Sequence, residues 1–224
     1  ILLFSIALDT LTIDSIWYLG PFSIGAREGV IGVIDSVYPT KDTYPSILVQ
    51  GGKVFWQKAY IGENKFYTLE YKNVKWDTIQ DYYGIAGLLC AGYVYAKFYS
   101  PQKLNALAIT SRIGGFRINK RRYYGNPYGH HEFVTPVIID SGWNTLVFRV
   151  AGFVAHRFKI FFVPVKDPVF ISSDFTLPDG QEGEVLSAYA GVPILNTQAK
   201  RIKFILEVVG DTLWQKFEYK GDII

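Results

Sequence analysis

The chain has 224 residues, enough for one large β domain or two smaller ones, and its 49% hydrophobic and 19% charged residues exclude a disordered polymer. A net charge of +3 is too even a balance for a nucleic-acid partner, which calls for concentrated basic charge. The single cysteine, Cys90, excludes an internal disulfide and leaves the cellular compartment open.

Residues 1–8 (I-L-L-F-S-I-A-L) are apolar but too short to span a bilayer. They read either as a signal-peptide remnant or as a first strand, and residues 1–12 are set apart on that ground. The absence of Met reads as a chain that begins after processing or is a piece of something longer. No other segment is long and apolar enough to cross a membrane.

A strand is expected over 13–19, ended by Gly20-Pro21. Gly25, Gly29 and Gly32 do not have the G-x-G-x-x-G spacing and precede no helix, so a surface loop is expected there rather than a nucleotide site. Residues 37–45 read as a connector. K-V-F-W-Q-K-A-Y at 53–60 and K-F-Y-T-L-E-Y at 65–71 flank Gly62-Glu63-Asn64 and read as a hairpin. Over 74–83 the spacing of Trp76, Ile79, Gln80 and Tyr83 suggests about one helical turn with a shared face.

Residues 87–99 alternate strictly, and the set Leu88, Cys90, Gly92, Val94, Ala96 and Phe98 is assigned to the core. Gly92 within that set signals a bulge or a close approach. A strand over 104–111 leads into S-R-I-G-G-F-R-I-N-K-R-R-Y-Y-G-N-P-Y at 111–128. Strands follow at 133–139, 145–151 and 157–163, with a turn over 140–144. The two prolines of P-V-K-D-P at 164–168 mark a boundary. Short strands beyond it repeat at sandwich spacing, but too few residues remain for a full sandwich. The expected fold is all-β: an antiparallel β-sandwich over 13–165, then a small, incomplete second β domain over 166–224.

Chemistry is sparse. There is no G-x-S-x-G elbow, Cys90 has no evident His partner, and no carboxylate pair stands out. His130 and His131 are adjacent and would face opposite ways on a strand, so no metal site and no cofactor are expected. The densest charge runs from Arg112 to Arg122, interleaved with Phe116, Tyr123, Tyr124 and Tyr128. Aromatic faces beside bidentate donors suit a sugar or a carboxylate. Alternatively, Arg117, Asn119, Arg121 and Tyr123 form the wet face of a protected edge strand. The candidate ligand residues are Arg117, Arg121, Tyr123, Tyr124, Asn126, Tyr128, His130 and His131, with the loop 123–131 favoured over the arginine-rich strand.

W-Y-L-G-P-F at 17–22 with A-R-E-G at 26–29, N-V-K-W-D-T-I-Q-D-Y-Y-G-I-A-G at 73–87, R-Y-Y-G-N-P-Y-G at 122–129 and A-G-V-P-I-L-N at 190–196 stand in one order. Together they resemble the N-terminal, non-catalytic region of secreted α/β-hydrolase proteins of the prolyl-oligopeptidase type. S-x-x-G-x-F-x-I-N at 111–119 also resembles the strand-turn-strand of galactose-binding and PA14-type jelly-rolls, although Lys120 stands where Gly often follows the Asn. The resemblance implies a jelly-roll, an Ig-like domain and a C-terminal catalytic α/β-hydrolase domain as partner in the same polypeptide. It also implies a secreted or periplasmic location. Three functions are weighed: an accessory module that shapes substrate access or binds glycan or peptide, a purely structural interaction module, and, ranked last, a stand-alone glycan-active enzyme.

Overall fold

The computed structural model describes residues 10–25, 37–126, 132–172, 176, 191–198, 200–209 and 214–219. The chain divides into two compact units, Ile1–Pro164 and Val165–Ile224. In the first unit the elements run β1 (Ser15–Ser23), β2 (Thr43–Pro45), β3 (Lys53–Phe55), β4 (Gln57–Tyr60), β5 (Phe66–Leu69), α1 (Trp76–Tyr83), β6 (Leu89–Ser100), β7 (Leu104–Ser111), β8 (Gly115–Ile118), β9 (Arg121–Tyr124), β10 (Phe133–Ile139), β11 (Gly142–Phe153) and β12 (His156–Pro164). The second unit holds β13 (Val169–Ile171) paired with β14 (Ile194–Asn196), and β15 (Phe204–Val209) paired with β16 (Trp214–Tyr219).

The fold is all-β. A six-stranded sheet in the order β4-β1-β6-β11-β8-β9 and a four-stranded sheet in the order β10-β7-β12-β5 are antiparallel throughout. Period-2 alternation supplies each sheet with one apolar face. Ile16, Val94, Leu146, Phe148 and Ile118 come from one sheet, Leu69, Ile160, Phe162 and Val137 from the other, and all join one buried cluster. Phe148 meets Phe158 edge-on at 5.1 Å, and Phe98 stacks on Phe162 at 5.2 Å, each pair spanning the two sheets. These contacts make the first unit a sandwich.

The core set expected over β6 and the residue before it is buried: Leu88, Cys90, Val94, Ala96 and Phe98. Gly92 is a close approach. A Cβ there would lie 2.5 Å from the Tyr71 hydroxyl. Opposite it, β1 does not end at Gly20-Pro21 but runs on through a register shift between Leu19 and Phe22. Two residues of β1 thus face one of β6, which is a bulge. Gly92→Ala is expected to cost about 1–3 kcal/mol through overpacking. In a Tyr71→Phe background the added cost should shrink, and a double-mutant cycle from denaturant unfolding measures that coupling.

The expected hairpin across Gly62 is not formed. β4 pairs with β1 in the larger sheet, whereas β5 pairs with β12 in the smaller one. Glu63–Lys65 is a 3-10 turn in which Asn64 and Lys65 hold φ of 54° and 62°, and it carries the chain from sheet to sheet. A Gly-Glu-Asn signal specifies a reversal, not which sheet receives the next strand. The helix over 76–83 does form. Only Trp76 and Ile79 of its expected face pack on the core, while Gln80 and Tyr83 stay exposed. The turn after β10 is shorter than expected, because Gly142, Trp143 and Asn144 already belong to β11.

The outer side of the larger sheet is partly covered. The β2–β3 hairpin lies over β1 and β6, where Leu19, Val54 and Trp56 are buried with Phe22, Tyr44 and Tyr93 packed around them. Ser46 fastens this cover by donating its hydroxyl to the Pro21 carbonyl and its N–H to Gly52 O at 2.9 Å.

Candidate functional site

The eight sequence candidates do not form one site. Tyr128, His130 and His131 lie outside the described residues. The others divide at the β8–β9 turn. That turn has two residues, and Asn119 holds φ of 55°, so the positive φ falls on Asn and Lys120 is spared it. A two-residue connection pairs Phe116 with Tyr123, Arg117 with Arg122 and Ile118 with Arg121. Arg117 therefore does not share a face with Arg121 and Tyr123, contrary to the odd-number reading of this stretch. It shares one with Arg122 and Tyr124.

Arg121 and Tyr123 have structural tasks. The Arg121 guanidinium pairs with Asp140 Oδ2 at 2.8 Å. Through that hydrogen bond the Arg121 pKa rises and the Asp140 carboxyl is held below the usual carboxylate range. Tyr123 stacks on Phe116 at 5.5 Å, and its hydroxyl accepts the Ile138 N–H at 3.1 Å. Burial raises its pKa. Tyr124 is exposed and Asn126 is half-buried where β9 ends. Between them Gly125 donates its N–H to Gly114 O, and a Cβ at Gly125 would stand 2.2 Å from the Ile113 carbonyl. The G-N-P motif thus begins with a backbone contact that only Gly permits.

Cys90 does have a histidine beside it. His156 Nε2 lies 3.8 Å from its sulfur and 3.1 Å from its carbonyl, while Nδ1 is 2.8 Å from the Tyr71 hydroxyl. The two residues are 66 positions apart, so no local spacing could reveal the pair. Burial pushes the Cys90 thiol up to about 12 and His156 down to about 4. A neutral thiol beside a neutral imidazole is a packed polar cluster, not a nucleophile with its base. Among the described residues, no group of His, Cys, Asp or Glu could hold a metal, and no helix is long and apolar enough to cross a membrane.

A different set of residues does converge, on the outer face of the six-stranded sheet. Ladder register places Lys58, Trp17, Tyr95, Val147, Arg117 and Arg122 in one row across all six strands. At about 4.8 Å per strand the row is about 24 Å long. The neighbouring row on β6 and β11 is Lys97 opposite Thr145, and beyond it Tyr99 opposite Trp143. Trp143 is 70% exposed and Tyr99 56%, and their rings meet edge-to-face at 5.6 Å. Lys58 lies 5.0 Å from the Trp17 ring centre. At the covered end, Leu19, Phe22, Val37, Tyr38, Tyr44 and Tyr93 line a cleft of 430 Å³ together with Thr40 and Asp42.

Sequence reasoning found Arg117 and Tyr124 of this face but missed Trp17, Tyr95, Tyr99, Trp143 and Lys97. These residues lie on β1, β6 and β11, far apart in the chain. The signal available was the odd-numbered set of β6, where Tyr93, Tyr95, Lys97 and Tyr99 alternate with the core residues.

Comparison of the chain with protein-family models, curated proteins and solved structures finds no match.

Proposed function

We propose that this chain is a non-catalytic accessory β module that binds glycan on the outer face of its six-stranded sheet. The observation that carries this reading is the exposed Trp143–Tyr99 pair, one row beyond Lys97 and two beyond the Trp17–Tyr95–Arg117 row. Aromatic faces stack on sugar rings, and Arg and Lys donate to their hydroxyls and acids. Side chains carried on a hydrogen-bonded sheet are presented with less ordering cost than those on a loop. The motif order supports a jelly-roll followed by an Ig-like domain, attached to a secreted prolyl-oligopeptidase-type serine hydrolase. In that setting the face would hold a polymer near the catalytic domain.

Affinity gel electrophoresis in soluble polysaccharides tests the binding. Trp143→Ala should weaken retardation about tenfold, the scale of one lost stacking contact of about 1.4 kcal/mol. Its melting temperature should stay near that of the parent, since the ring is on the surface. Retardation by no polysaccharide, acidic or neutral, would overturn the reading.

A further inference from the structure

We infer that the cleft at the covered end of the six-stranded sheet binds a quaternary ammonium group, carried by a free compound of the choline type. The site and its ligand are separate from the glycan face, so the inference goes beyond the reading above and does not rest on it.

The cleft is assembled from distant parts of the chain. Phe22 comes from the end of β1, Tyr93 from β6, Tyr44 from β2, and Tyr38 and Asp42 from the connector that leads into β2. Leu19, buried, stands opposite Tyr93 in the ladder. The rings of Phe22 and Tyr93 have centres 5.6 Å apart and are inclined at 57°, which makes a corner of two rings. Thr40 ties the opposite wall together. Its Oγ1 accepts the Asp42 N–H at 3.2 Å and lies 3.0 Å from the Tyr44 hydroxyl. The volume of 430 Å³ falls in the range of about 300–1,000 Å³ that small-molecule sites occupy.

The lining has one electrostatic sign. Aromatic rings have negative faces, Asp42 adds a carboxylate, and no lining residue is basic. Among the described residues, no hydrogen bond or ion pair engages the Asp42 carboxylate. Elsewhere the chain supplies cations to its own rings: Lys58, Lys65, Arg157 and Lys159 lie 4.2 to 5.0 Å from the ring centres of Trp17, Phe161 and Phe66. Among the described residues, no Lys or Arg lies over Phe22, Tyr38, Tyr44 or Tyr93.

The kind of cation follows from what the cleft lacks. A primary ammonium or a guanidinium brings several N–H donors, each of which needs an acceptor once it leaves water. The lining offers one uncommitted carboxylate. A quaternary ammonium has no N–H to satisfy, and its spread charge suits ring faces. Leu19 and Val37 supply apolar surface for its methyl groups. A sugar fits less well, because the lining holds no side-chain N–H to donate to its hydroxyl oxygens.

Titration calorimetry on the whole chain tests this. The probes are choline, dimethylbutanol (its neutral isostere, with carbon in place of nitrogen), and the zwitterions glycine betaine and phosphocholine. Choline should bind at least about tenfold tighter than dimethylbutanol. Both zwitterions should bind more weakly than choline, because their own anionic group meets Asp42. That comparison also separates a free ammonium compound from a phosphocholine headgroup. Asp42→Asn should weaken choline severalfold and narrow its lead over glycine betaine. Tyr38→Ala should weaken choline severalfold, whereas Tyr38→Phe, which keeps the ring, should bind like the parent. Both positions are exposed, so melting temperatures should stay near that of the parent. Equal binding of dimethylbutanol would overturn the inference by showing an apolar cleft without charge recognition. Equal or tighter binding of either zwitterion would overturn it by removing Asp42 from the site. Binding of no probe would end it as well, while polysaccharide retardation that depends on Trp143 would still stand.

Discussion

Acidification from about pH 7 to about pH 4 should remove about 3 kcal/mol of stability through His156 alone. Its imidazole is buried between the sheets, and burial lowers its pKa from 6.5 to about 4. The neutral ring is matched on both nitrogens: Tyr71 donates its hydroxyl proton to Nδ1, and Nε2–H donates to the Cys90 carbonyl. A second ring proton would turn Nδ1 into a donor, so the Tyr71 hydroxyl would have to turn its own proton away and accept, and the charge would stand buried. The unfolded chain, whose histidine titrates near 6.5, takes up that proton first. His156 therefore contributes its full stability above pH 6.5 and loses it progressively as pH falls toward about 4. Most of that window lies above the carboxylate range, which separates it from general acid denaturation. Denaturant midpoints across the window should fall steadily for the parent chain and much less for His156→Gln. Parallel slopes in the two proteins would show that His156 does not carry the effect.

The same cluster shows what the sequence could and could not reveal. Strand positions were legible because period-2 alternation is local: β7 runs Leu104–Ser111 as expected, and the even-numbered residues of β6 are buried, joined from the odd-numbered set by Ala91 alone. Strand partners were not legible. Gly62-Glu63-Asn64 has hairpin chemistry, yet it passes the chain between sheets, because β4 and β5 take their ladder partners from β1 and β12. The Cys90–His156–Tyr71 contact and the Trp17–Tyr95–Val147–Arg117 row are products of such long-range pairing. Arg121 was misread for a related reason. It stands directly after the two-residue turn, and the turn's length decides its face.

Asn144→Ala should destabilise the first unit by about 3 kcal/mol, whereas Arg121→Ala, which removes the most prominent ion pair of the same corner, should stay within about 1 kcal/mol. Asn144 is fully buried, and every amide position is used. Its Nδ2 donates to Asp140 O at 2.8 Å and Gly142 O at 3.1 Å. Its Oδ1 accepts from the Asp140 N–H at 3.0 Å and from Asn119 Nδ2 at 2.9 Å. Asn119 in turn accepts the Thr145 N–H at 2.9 Å and donates its own N–H to Thr145 O at 2.8 Å. The two asparagines thus lock the β8–β9 turn to the β10–β11 turn across β11. Truncating Asn144 strands an Asp140 N–H and part of the Asn119 amide away from water, and each unpaired buried group costs about 1–3 kcal/mol. Arg121 and Asp140 keep 40% and 37% of their side-chain surface exposed, so water replaces the lost partner. Asn144→Asp keeps the shape but loses both donors and adds a charge beside Asp140, so it should be at least as damaging as Asn144→Ala. Equilibrium unfolding of the three variants decides the point. A larger loss from Arg121→Ala than from Asn144→Ala would return the arginine to the centre of this corner.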